Sequence, residues 1–165
     1  MTFREQQIAF VTIVVKEFTR FIRIWQQTIL PPVITTFLYF VIFGNLIGAR
    51  IGSMDGFDYI DFIVPGIILM QVITSSYSNV VSSFFGAKFQ HSIEEILVSP
   101  TPNYIILLGY IMGGVARGII VGLIVTVVSL LFSDLRIYNA GILISMVMLT
   151  AVLFSLGGFT NAMFA

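Results

Sequence analysis

Ser92 and Glu95, three residues apart in the stretch KFQHSIEEILVSPTP (88–102), have the types and spacing for contact with another protein. The S-x-x-E spacing predicts a capping box, in which hydroxyl and carboxylate each satisfy an orphan backbone donor at a helix start. Glu94 and Glu95 fall in the first turn, where negative charge suits the helix dipole. Phe89, Ile93, Ile96 and Leu97 recur at helical spacing and predict one apolar face. Pro100 and Pro102 end the helix. The segment reads either as a docking helix for a soluble partner or as an interfacial helix resting on lipid.

Three further patterns could do chemistry. Arg117 lies about 20 Å along an apolar run that starts at Tyr104, at 1.5 Å per residue. A cation at that depth costs at least about 2.5 kcal/mol, so it must face protein or water. It is either a cavity-lining or gating cation, or a structural arginine satisfied by backbone carbonyls or by snorkelling. Thr74, Ser78 and Ser82 form an i+4 row that either bonds to neighbouring helices or lines a polar path. Gly109 and Gly113, and beside them Gly114, Gly118 and Gly122, make two small-residue rows that let helices approach closely.

Other chemistry is excluded by composition. The chain has no cysteine and one histidine, His91, so thiol catalysis, thiolate metal sites and a histidine triad have no residues to work with. No phosphate-loop motif is present, which predicts neither catalytic nor cofactor-binding residues and a protein that is not itself an ATPase. Net charge is zero, which gives no footprint for nucleic acid. With 58% hydrophobic and 10% charged residues, the chain departs far from the roughly 25% charge of soluble domains. No Asp or Glu lies within the predicted spans, which disfavours an ion-coupled carrier.

The elements that must position these residues are those of an all-α membrane protein. Residues 8–27 predict an interfacial amphipathic helix, with Thr12, Lys16, Thr19, Arg20, Arg23 and Gln27 on one face. Val11, Val14, Val15, Phe18, Ile22 and Trp25 occupy the other. Residues 29–49, 62–87, 104–132 and 141–165 are each long and apolar enough to cross a hydrocarbon layer of about 30 Å. Between the first two lie Arg50, an Asp55-Gly56 turn and Asp55, Asp58 and Asp61; a polar turn with Asp134 and Arg136 precedes the last. Arg4, Lys16, Arg20, Arg23 and Lys88 would share one side of the membrane against Arg50 and Arg136 on the other. That bias makes the N-terminus and the 88–102 segment cytoplasmic.

The order RFIRIWQQTILPPVITTFLYFVIFGNLIGARIG, YIDFIVPGI, SSFFGAKFQHSIEEILVSPTPNYIILLGYIMGGVARG resembles the membrane subunit of type-2 ATP-binding-cassette (ABC-2) transporters. The likeness is to bacterial inner-membrane permeases related to drug, polysaccharide and nodulation-factor exporters, and covers essentially the whole chain as one transmembrane domain. It implies a permease subunit of an exporter, working as a homodimer in the lipid bilayer with a separate ATPase subunit that carries the ATP and Mg. The 88–102 segment would be the coupling segment, with Ser92, Ile93, Glu94, Glu95, Ile96, Leu97, Val98, Ser99 and Pro100 as the ATPase contact. Family members have six spans, so the resemblance predicts a chain lacking the last two. The alternative it leaves is a truncated, non-transporting bundle that binds an ATPase or assembles with other subunits.

Overall fold

The computed structural model describes residues 2–48, 53–54, 57–133 and 139–164. Helix α1 (Phe3–Arg23) starts where the Glu5 carboxylate accepts the Thr2 N–H at 2.8 Å. It breaks at Ile24, whose φ of −107° and ψ of 33° leave the helical region. The Thr28 hydroxyl reaches back across the break and donates to the Phe21 carbonyl at 3.0 Å, satisfying an acceptor the break exposes. A single turn, α2 (Trp25–Thr28), leads into α3 (Leu30–Tyr39), whose first turn holds Pro31 and Pro32 where missing N–H groups cost little. The helix continues as a π-helix over Phe40–Gly48.

A two-residue strand pair follows, β1 (Ser53–Met54) antiparallel to β2 (Phe57–Asp58), with Ser53 opposite Asp58. The Asp55-Gly56 turn lies outside the described residues, as do Ala49, Arg50, Asp134 and Arg136. Helix α4 (Tyr59–Phe89) begins three residues before the predicted span and runs through Pro65. The short α5 (Ser92–Val98) and then α6 (Asn103–Ser129) come next. The last helix, α7 (Ala140–Phe164), starts where the Asn139 side-chain oxygen accepts the N–H of Gly141 at 3.0 Å and of Ile142 at 3.3 Å. Among the described residues, four segments are long and apolar enough to cross a membrane: Trp25–Gly44, Tyr59–Phe89, Asn103–Ser129 and Ala140–Phe164. The first of these begins four residues earlier than the predicted 29–49, because the helix break falls at Ile24.

Helix α6 is the centre of the packing, and its two glycine rows serve different neighbours. On one row, a β-carbon at Gly109 would stand 2.5 Å from Ile13 Cγ2, and one at Gly113 would stand 2.6 Å from Glu17 Cβ. That row seats α1. On the other, β-carbons at Gly114 and Gly122 would stand 2.5 Å from Val80 Cγ2 and 2.7 Å from Val72 Cγ2, and one at Gly118 would run into Ser76. This row seats α4, antiparallel to α6. Helix α7 joins by its own close approach, Gly158 against the Tyr77 carbonyl of α4.

The N-terminal helix shows an exposed polar row and an exposed apolar row and adds a third, but Arg20, expected on the polar face, turns toward α4. The polar row (Thr12, Lys16, Thr19, Arg23) and the apolar row (Val11, Val15, Phe18, Ile22) are both exposed. A third row, Ile13, Glu17 and Phe21, points into the bundle, with Glu17 and Phe21 buried. Helix α1 thus runs beside and parallel to the first half of α6, with Gln6 at Tyr104 and Glu17 at Gly113.

Candidate functional site

Helix α5 has a rooted side and a free side. Ile93 is 8% exposed, and Ile96 packs onto a cluster of Val80, Ile106 and Tyr110 that Ile13, Phe84 and Phe159 also join. That cluster therefore draws on α1, α4, α5, α6 and α7. Opposite it, Leu97 is 61% and Val98 87% exposed, with Glu94, Glu95 and Pro100 exposed alongside. Phe89, expected on the same apolar face as Ile93, instead ends α4 and is 79% exposed.

The capping box does not form. His91 takes the N-cap position in a left-handed conformation (φ 58°), which makes Ser92 the first helical residue instead of the cap. Its hydroxyl turns back and donates to the Ala87 carbonyl at 3.2 Å, tying α5 to the end of α4. Glu94 lies 3.0 Å from the His91 Nδ1, and Glu95 is left facing solvent. At the other end, the Ser99 hydroxyl donates to the Ile96 carbonyl at 2.6 Å and closes the helix before Pro100.

Arg117 is half-buried on α6 and directs a guanidinium N–H toward the Thr28 carbonyl at 3.5 Å, beside the turn that starts the first span. The row Thr74, Ser78 and Ser82 lies outside the core but divides. Thr74 is exposed and bonds its own helix at the Met70 carbonyl, 2.8 Å away, Ser78 is half-buried, and the Ser82 hydroxyl accepts from Arg20 of α1 at 3.5 Å. Helical rotation instead turns Gln71, Ser75, Ser76, Asn79 and Ser83 inward. Ser76 and Asn79 are fully buried, against the glycines of α6. The inner polar row is thus displaced by about one position from the i+4 row the sequence brings to notice.

Sequence reasoning passed over Glu17, Ser83 and Asn79, and placed their partner Arg20 on the outer polar face. Glu17 is fully buried; its carboxylate accepts the Ser83 hydroxyl at 2.6 Å and lies 3.5 Å from Arg20 Nε. Arg20 continues the network, donating to the Asn79 backbone carbonyl and to its side-chain oxygen, each at 3.0 Å. Lys16 stands over the Tyr110 ring, 5.9 Å from its centre. The signal available in the sequence was the i, i+3 pairing of an acid with Arg20 on the row that also carries Ile13 and Phe21. Among the described residues no group of His, Asp and Glu side chains could hold a metal ion.

Residues 8–165 match the sequence model described as ABC-2 type transporter. Over 158 residues, 96% of this chain, it is 57% identical to the inner membrane transport permease YadH of Escherichia coli K12. The proteins of the same name from Escherichia coli O157:H7 and Shigella flexneri match to the same extent. The chain spans 62% of the length of these curated relatives. No solved structure matches it.

Proposed function

Because this chain belongs to the ABC-2 type transporter family, we propose that it is membrane-spanning permease sequence of an ATP-driven exporter in a bacterial inner membrane. It is multi-pass, with its N-terminus and α5 in the cytoplasm. Two copies form the translocation path. A separate ATPase subunit, which carries the ATP and Mg, docks on α5.

The observation that carries this reading is the division of α5 into a rooted and a free side. Ile96 holds it to a cluster shared with α1, α4, α6 and α7, and Ile93 is buried beneath the helix. Leu97, Val98, Glu94 and Glu95 stand clear, an apolar centre beside acidic groups that suits a protein contact. A push on the free side would reach the membrane helices through packed side chains, which transmit displacement because interiors are dense. The chain's own residues supply no hydrolytic chemistry in this scheme; they receive a displacement.

Co-purification of the full-length permease with its ATPase in mild detergent tests the reading. Glu95→Lys and Leu97→Asp should each lower recovery of the ATPase at least about tenfold, the loss of about 1.4 kcal/mol of contact, while membrane insertion is unchanged. Undiminished recovery with both variants would overturn the docking assignment.

A further inference from the structure

We infer that Glu17 and Arg20 are positioning residues for coupling, a polar clamp that makes α1 move as one body with the cytoplasmic halves of α4 and α6. The inference rests on the permease reading above and adds a role for side chains that lie outside the docking helix. Its basis is geometric. Glu17 has no exposed surface, yet it bears a carboxylate, and burying a charge is costly unless it is paired and hydrogen-bonded. The pairing is present: the Ser83 hydroxyl at 2.6 Å and the Arg20 guanidinium at 3.5 Å. Arg20 then reaches α4 a second time, at both oxygens of Asn79.

Each contact crosses between elements far apart in sequence. Glu17 leans on Gly113 of α6, whose missing side chain makes room for its Cβ and Cγ. Ser83 and Asn79 belong to the last part of α4, which leads directly into α5. Tyr110 and Gly113 belong to the first part of α6, which leads directly out of it. The clamp therefore ties α1 to the two helix ends that any movement of α5 must displace first. Apolar contact alone, as at Ile13 on Gly109, would let α1 slide. Directional bonds to two oxygens of Asn79 fix its register.

The test uses the full-length protein with its ATPase in lipid nanodiscs, in a cysteine-free background. Spin labels are placed through Thr12→Cys on α1 and Phe85→Cys on α4, both exposed. In the wild type the label separation should be the same in the nucleotide-free and vanadate-trapped states. In Glu17→Gln and in Arg20→Ala it should shift by about 5 Å, one helical turn, or broaden by that amount. The double variant Glu17→Gln with Arg20→Gln removes the unpaired charge, so thermal stability should recover while the separation stays altered.

Separations unchanged in every variant would overturn the clamp. So would a double variant that recovers both stability and separation, because a plain charge balance would explain that. So would a wild-type separation that itself shifts by a helical turn on trapping. If the ATPase does not co-purify with the wild type, the permease reading fails instead. The clamp is then judged on the nucleotide-free separations alone, which must still be altered in the single variants.

Discussion

A β-carbon on Gly113 would stand 2.6 Å from the β-carbon of Glu17, so the backbone of α6 and the buried acid of α1 meet with no room between them. The absence of a side chain at one position is what allows a charged side chain at the other to be enclosed. We expect Gly113→Ala to destabilise the protein by about 1–3 kcal/mol, since overpacking forces one helix off the other. Gly86→Ala meets nothing within 4 Å and should be neutral or slightly stabilising, because alanine is the better helix former. Thermal unfolding of the two variants side by side in mild detergent checks the contrast.

Ile93 and Val98, five residues apart on α5, should separate stability from partner binding. Ile93 is buried, and Ile93→Ala should cost about 2 kcal/mol or more through lost burial and the void it leaves. Val98 is 87% exposed, so Val98→Ala should change stability by no more than about 0.5 kcal/mol. If Val98 contributes to the docking surface, the same change weakens ATPase recovery. Unfolding and co-purification measured on both variants give the two readouts.

Among the described residues, Arg117 makes one long bond, 3.5 Å, to the Thr28 carbonyl, and the atom nearest its aliphatic stem, Nε, is buried with no partner there. A half-buried cation so thinly satisfied contributes little, because its desolvation offsets the bond. Arg117→Met, of similar volume, should therefore match or exceed wild-type stability. Arg117→Ala should lose about 1–3 kcal/mol by opening a void beside the turn at Thr28. A large loss with methionine would show that the charge itself holds the first span in place.

The Ser133 hydroxyl donates to the Asp61 carboxylate, joining the segment after α6 to the first turn of α4. Ser133→Ala should cost about 1.5 kcal/mol, the usual range for a hydrogen bond to a charged acceptor. Asp61→Asn keeps an acceptor and should cost less. Thermal unfolding distinguishes the two.

Much of the fold is legible in the sequence because it follows from local composition. Apolar runs of about 20 residues or more, charge-free except for Arg117, read as spanning helices. A charged stretch closed by Pro100 and Pro102 marks the turn between two of them. The glycine rows of α6 are likewise visible as four-residue repeats. Which neighbour each row receives is not visible, because Ile13 and Glu17 lie about a hundred residues from the glycines they meet. The S-x-x-E signature of α5 misleads for a related reason: the left-handed turn at His91 moves the helix start by one residue, and the cap moves with it.

What the sequence determined by itself is the all-helical membrane class, the four apolar stretches from which the spans are built, the family, and the place of the short helix between the second and third of those stretches, while the helix bounds shift by several residues. Tertiary structure alone decided which polar side chains face inward. In α4 the inner row is Ser75, Asn79 and Ser83, not Thr74, Ser78 and Ser82; in α1 it is Glu17, not the exposed basic row. A helix repeats every 3.6 residues and so presents several adjacent rows of similar composition. Composition cannot choose among them, whereas a partner helix can, because burying a charge is tolerable only where a distant chain segment supplies the matching donor.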